Sequence, residues 1–240
     1  MLYIKKKTPP TEMIREVSGI KSAPDWRRIQ AGNTDVIRNK FDSLSKEPIR
    51  LSLLEEQSGL CAYCMRKLEN KGKTTHIEHW YPLSKDKERA LDYNNMLAVC
   101  DGGSNYEGKG KKILCCDAFK GEDDELTISP LNSLHMKLIA YDTKGYIKTN
   151  PVDEVLEKDM NEHLRLNGLW KKGKFIADTS TGLVKGRRDT YQQYERFIKK
   201  LDREKKCTSV QIKKKIDAIQ AAERKPEFAG VLLYFLNKKI

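Results

Sequence analysis

The run Cys61-Ala-Tyr-Cys64 is a two-residue knuckle, and Cys100, Cys115 and Cys116 follow it before position 117. Of the six cysteines in this 240-residue chain, only Cys207 stands apart. A Cys-x2-Cys turn lets two thiolates meet one tetrahedral Zn²⁺, and a second pair closes the site. Cys100 supplies one member of that pair, and either Cys115 or Cys116 supplies the other. The N-terminal MLYIKKKTPP lacks the apolar run of a secretion signal, and no stretch approaches the ~20 apolar residues of a membrane span, so the chain is expected in the cytoplasm. Thiols there stay reduced, which favours metal over a disulfide framework. The plain alternative is a set of buried, unliganded thiols. A redox-active pair would need a thioredoxin-like βαβ context, which the flanking sequence lacks.

Around this cluster the chain divides into three expected parts: 1–59, an N-terminal arm with helices; 60–125, the metal-pinned module; and 126–240, a hairpin and a basic helical region. Residues 1 to about 33 carry Pro9, Pro10, Gly19, Pro24 and Gly32 and read as irregular. With Thr34 as N-cap, Val36, Ile37, Phe41 and Leu44 recur at helical spacing. Pro48 interrupts, and Ile49 to Leu54 continue toward Gly59. Residues 60–121 show no sustained helical period. Leu126 to Ile147 reads as strand pieces with a hairpin turned at Lys144-Gly145. Val152 to Trp170 reads as a helix, with a loop between Gly168 and Gly173. Three more helices are expected around Tyr191 to Leu201, Ile212 to Ile219, and Phe228 to Leu236.

The net charge is +12, and residues 185–240 hold 16 Lys/Arg against 7 Asp/Glu. Such an excess fits a polyanionic partner, nucleic acid ahead of a membrane surface, with a solvated helical face as the plain reading. Tyr191, Tyr194 and Phe197 alternate with these charges. Their spacing suits a helix core first and base stacking second.

Between the two cysteine pairs lies His76-Ile-Glu78-His79-Trp-Tyr-Pro82. Neighbours on a strand point to opposite faces, so Glu78 can reach a divalent cation while His79 faces a water if the strand bends before Pro82. Phosphodiester hydrolysis needs both parts: a base near neutral pH and a cation for the charge building on the phosphate. His76, two residues before Glu78, shares its face as an extra ligand, a phosphate contact or a structural residue. His135 and His163 have no such company and read as structural.

The frame Cys61-x2-Cys64, Glu78-His79-x2-Pro82, Asn95-x4-Cys100 and Cys116-Asp117-x2-Lys120-Gly121 resembles the HNH nucleases. The longer wording HIEHWYPLS, DYNNMLAVC and CCDAFKG is similar to the PtuB subgroup of Septu and retron-associated antiphage defence, with Leu164-x-Leu-Asn167, Leu183 and Arg187 as weaker matches. The resemblance implies an α+β, mainly helical fold around a zinc-stapled ββα-metal module. It implies His79 as general base, Glu78 and Asp117 as ligands of a catalytic Mg²⁺ or Mn²⁺, Asn95 as the residue bracing the loop, and structural Zn²⁺ on the cysteines. Asp117 departs from the His or Asn usual at its place, but a carboxylate suits a hard cation. Lys120 and the basic C-terminal helices would contact phosphates.

The implied partners are DNA, a PtuA-like ATPase that restrains the nuclease, and a retron reverse transcriptase with its RNA/DNA product. Two other readings keep the same cysteines. The nuclease could act on RNA, host tRNA in particular, or the module could bind nucleic acid or protein without chemistry.

Overall fold

The computed structural model describes residues 1–104, 114–171, 174–177, 181–205 and 208–240. Cys207 lies outside them. The fold is mainly helical with small two-stranded sheets, and one continuous buried cluster runs through it from Met1 to Leu236. Among the described residues, no helix is long and apolar enough to cross a membrane.

The expected irregular arm is instead two helices, α1 (Thr11–Ser22) and α2 (Trp26–Ala31), after an extended start. Pro10 sits at the N-cap of α1, where its missing N–H costs nothing, and Met13, Val17 and Ile20 face the core at helical spacing. The prolines and Gly32 flank helices here rather than dissolve them, and Gly19 is carried inside α1. The extended start packs down as well: Ile4 N–H donates to the Pro130 carbonyl at 2.9 Å, and the Lys6 ammonium meets Glu56 at 2.8 Å.

Next come α3 (Thr34–Asp42) and α4 (Lys46–Glu56). Asn33, not Thr34, caps α3, accepting from Val36 N–H at 3.1 Å. Pro48 lies in the first turn of α4, where the break expected of it does not arise because that N–H would have no helical partner.

Strands β1 (Thr75–His79) and β2 (Met96–Cys100) pair antiparallel, with Glu78 opposite Leu97 and His79 opposite Met96. Every residue of β2 is buried, against α4 on one side. Among the described residues its other edge carries no third strand. The Gln57 amide serves instead: Ala98 N–H donates to its Oε1 at 2.8 Å, and its Nε2 donates to the Ala98 carbonyl at 2.7 Å.

The expected hairpin forms as β3 (Ile139–Tyr141) and β4 (Ile147–Thr149), but the strand-like reading before it fails. Ser133–Leu138 is a short helix, α5, because Asn132 accepts from both Leu134 and His135 N–H groups. The long helix expected over Val152 to Trp170 is also cut short. After α6 (Glu154–Lys158) the chain widens into a π turn at Asp159–His163, then enters β5 (Gly168–Lys171), paired with β6 (Lys174–Ala177) where a loop was expected. Tertiary contacts override the period: the Asp159 carboxylate accepts from Thr127 and Ile128 N–H at 2.6 and 2.7 Å, and the Leu164 carbonyl is drawn to Cys116 N–H at 2.9 Å.

The three C-terminal helices form as read: α7 (Leu183–Arg203), α8 (Ser209–Ala221) and α9 (Ala229–Asn237). Tyr191 and Tyr194 pack on Phe235 of α9, with ring centroids 4.6 and 5.5 Å away, so that stripe belongs to the helix contact.

At the head of α7, Arg187 is 1% exposed, and its guanidinium donates to the carbonyls of Gly145 and Leu166 at 2.6 Å each and to Asn167 Oδ1 at 3.1 Å. Gly145 permits this approach: its φ is +94°, and a Cβ there would lie 2.1 Å from the Val184 carbonyl. Replacing Arg187 with Met strands two buried carbonyls, those of Gly145 and Leu166, each worth about 1–3 kcal/mol, while Asn167 Oδ1 keeps the Ile147 N–H. Urea unfolding is expected to show a loss of about 3 kcal/mol or more.

Candidate metal and catalytic site

Two backbone arrangements bring the cysteines together. In the first, Met65 N–H returns to the Cys61 carbonyl at 3.0 Å and Cys61 N–H to the Arg66 carbonyl at 2.8 Å, so Cys61 and Cys64 point the same way. The second begins where β2 ends at Cys100. Gly102, at φ +57°, accepts at its carbonyl from Cys115 N–H at 3.0 Å, and a Cβ there would lie 2.1 Å from the Cys115 carbonyl. The ligand atoms of Cys61, Cys64, Cys100 and Cys116 all lie within 4.8 Å of one another, and all four residues are buried.

The Cys64 and Cys100 sulfurs are 3.7 Å apart, far beyond a disulfide bond. A tetrahedron with bonds of about 2.3 Å has sulfur edges of about 3.8 Å, so the group could hold a metal ion such as zinc. Between the two adjacent cysteines geometry selects Cys116, which adopts φ 55° to turn inward, while Cys115 directs its sulfur at the Gly102 carbonyl, 3.7 Å away. Without a cation, burial and the contact with Cys100 push the Cys64 thiol well up.

The Cys116 turn presents Asp117 to the face of β1 that carries His76 and Glu78. His76 Nδ1 lies 3.8 Å from Asp117 Oδ2, and that carboxylate raises the imidazole above its ordinary value. Glu78 is buried, with Tyr63 Oη at 3.5 Å and the Lys120 ammonium at 2.5 Å. Burial, then the Asp117 charge, pushes Glu78 up to about 8 despite that ammonium. Burial works on Asp117 too, but contacts with His76 and Glu78 and the Lys120 charge hold it below its usual range. The two carboxylates thus shift in opposite directions, Glu78 toward its protonated form and Asp117 toward its ionised form.

His79 faces the other way, edge-on to Phe41 with centroids 4.6 Å apart. Its Nε2 lies 3.0 Å from the Ala90 carbonyl, an acceptor only, so Nε2 carries the hydrogen and Nδ1 keeps the lone pair. Burial lowers its pKa to about 4, which leaves the ring neutral at pH 7.

Asn95 is 3% exposed and closes the loop after β1: its Oδ1 accepts from Tyr81 N–H at 2.8 Å and its Nδ2 donates to the Tyr81 carbonyl at 3.1 Å. A cleft of about 380 Å³ gathers Glu78, His79, Asp117 and Lys120 with Arg38 and Phe41 of α3. His76 and Asn95 are not among its lining residues. The phosphate contact expected of Lys120 competes with three internal acceptors, since its ammonium also donates to the His79 and Trp80 carbonyls at 3.1 and 3.2 Å. Arg38 and the Ala90 carbonyl escaped the sequence reading: one looks like any solvated helix residue, and the other is backbone. His163, read as structural, pairs with Asp124 at 3.1 Å, and His135 Nδ1 accepts from Ser129 N–H at 3.2 Å.

No family model matches the chain. The chain is similar to Septu protein PtuB. That protein, from Bacillus thuringiensis, is 24% identical over 151 residues, which make up 60% of this chain and 49% of the relative. The chain therefore spans about half the length of the curated relative it matches.

Proposed function

We propose that this chain is a metal-dependent endonuclease of the HNH type, with residues 60–125 as its ββα-metal module, acting on DNA within a Septu-type antiphage defence system. The observation that carries the reading is the single cleft lined by His79, Glu78 and Asp117, whose last residue directly follows Cys116 of the four-cysteine group. The similarity to Septu protein PtuB supports the defence setting. Exposed Arg188, Arg196, Lys199, Lys200 and Arg203 on α7 and Lys213 to Lys215 on α8 support a polyanionic substrate.

In this reading Glu78 and Asp117 would hold Mg²⁺ or Mn²⁺, which would supply charge neutralisation for the phosphate and the leaving oxygen. His79 Nδ1 takes a proton from water as the water oxygen bonds to phosphorus and the bond to the departing deoxyribose oxygen breaks. The Ala90 carbonyl fixes the tautomer that makes this transfer possible and stabilises the imidazolium that results. Zinc on the cysteines keeps Asp117 in register with β1.

The test is cleavage of duplex DNA, single-stranded DNA and total tRNA, with Mg²⁺, Mn²⁺ or EDTA, in the presence of a PtuA-like ATPase. Metal-dependent cutting of DNA is expected. Cutting confined to tRNA would move the substrate to RNA, and no cutting under any condition would leave a zinc-stapled binding module.

A further inference from the structure

The Leu164-x-Leu-Asn167 run does mostly internal work. Leu164 and Leu166 are buried, and Asn167 exchanges two hydrogen bonds with the backbone of Ile147, at 2.7 and 2.9 Å. Arg165 between them has no such task. Its φ of 49° is unusual for a long side chain, and such strain persists only where the surroundings enforce it. Two ties enforce it here. Cys116 N–H holds the Leu164 carbonyl, and Asp124 joins His163 at 3.1 Å to Gly121 N–H at 2.9 Å, so both ends of the 116–121 segment grip this turn.

The turn lays the Arg165 guanidinium over the Phe119 ring, its Cζ 3.2 Å from the centroid. Phe119 stands between Asp117 and Lys120, both of which line the cleft. Among the described residues no carboxylate pairs with Arg165, and its partial burial lowers its basicity with no acid to offset it. Lys120 is the reverse case, its ammonium satisfied by Glu78 and two carbonyls.

We propose that Arg165, stacked on Phe119, grips a backbone phosphate of the bound nucleic-acid strand beside the cleft and so positions the scissile bond. The inference rests on the nuclease reading and names a substrate contact for it. A planar fork held over a ring has N–H groups left for two phosphate oxygens, and little side-chain freedom is left to lose on binding. Arg165 is a positioning residue in this scheme; the proton transfer stays with His79.

The test uses the full zinc-loaded chain and fluorescein-labelled single-stranded and duplex DNA in EDTA, so that binding is read without cutting. Arg165→Gln is expected to weaken binding about tenfold on every sequence and to flatten the slope of log K against log salt by about 0.7–0.9, the signature of one lost phosphate contact. Arg165→Lys should restore the slope but only part of the affinity, and Phe119→Leu should cost affinity with the slope unchanged. With metal present, the Arg165→Gln loss should fall mainly on KM.

Wild-type binding with an unchanged affinity and slope in Arg165→Gln would overturn the proposal and leave the nuclease reading standing. A wild-type chain that neither binds nor cuts would overturn both. If Arg165→Gln instead lost only association with the ATPase, the guanidinium would serve an acidic protein surface and the phosphate assignment would fail. Should the Gln variant misfold by thermal melting, the Lys and Leu variants decide by the same slopes.

Discussion

His79→Ala is expected to lower cleavage about 10²–10⁴-fold, the range a positioned general base supplies, while binding of labelled DNA in EDTA stays at the wild-type level. The prediction follows from how little else His79 does. Its ring lies in the cleft wall against Phe41, with one hydrogen bond to the Ala90 carbonyl and no contact to the sulfur cluster. Truncation removes an edge-to-face pair and one bond, about 1–2 kcal/mol, well within the stability of a domain this size.

A chain that bound nucleic acid without chemistry would be indifferent to the change. Phage protection in cells would survive it, and that outcome would remove the catalytic reading. A Glu78→Gln comparison sharpens the test: it also abolishes cutting, but through loss of cation affinity, which Mn²⁺ titration reads independently. The two variants should thus separate, with His79→Ala binding Mn²⁺ as wild type does and Glu78→Gln binding it weakly.

The parts of this site that can be read in the sequence are those written as residue types at short spacing. The Cys61–Cys64 turn, the Glu78–His79 pair and the C-terminal helices needed no tertiary information, because local geometry fixes them. The rest depends on partners distant in sequence. Three amides, Gln57 on Ala98, Asn95 on Tyr81 and Asn167 on Ile147, each exchange two hydrogen bonds with the backbone of a single residue. Two satisfy strand edges in two-stranded sheets and the third braces the loop beside the cleft, work that further strands would do elsewhere.

Nothing in a lone Gln or Asn announces such a role. The π turn at Asp159–His163 was hidden for the same reason: the apolar spacing of residues 155–164 is helical, but the pull of Thr127, Ile128 and Cys116 on its polar groups is not local. The choice between Cys115 and Cys116 likewise needed the positive φ at Cys116 to be seen.

The zinc assignment yields the second large effect, and the adjacent cysteines provide its control. Cys116→Ser is expected to cut bound zinc well below one per chain by elemental analysis and to lower the melting temperature by about 10–20 °C. That corresponds to losing about 5 kcal/mol at 2–4 °C per kcal/mol, a fraction of the roughly 10–16 kcal/mol structural zinc contributes in small peptides. A fraction is appropriate because the core here extends from Met1 to Leu236 and does not depend on the metal throughout. Cleavage should vanish before the chain unfolds, since Asp117 directly follows Cys116, one of the four cysteines that could hold the ion.

Cys115→Ser removes a sulfur equally buried but aimed at the Gly102 carbonyl, and a serine hydroxyl can keep that contact. It should retain one zinc and melt within a few degrees of wild type. The difference between these neighbours tests the metal centre more severely than chelation does. A chelator strips any adventitious ion, whereas only a tetrahedron built on Cys61, Cys64, Cys100 and Cys116 makes one of two adjacent, equally buried cysteines indispensable and the other dispensable.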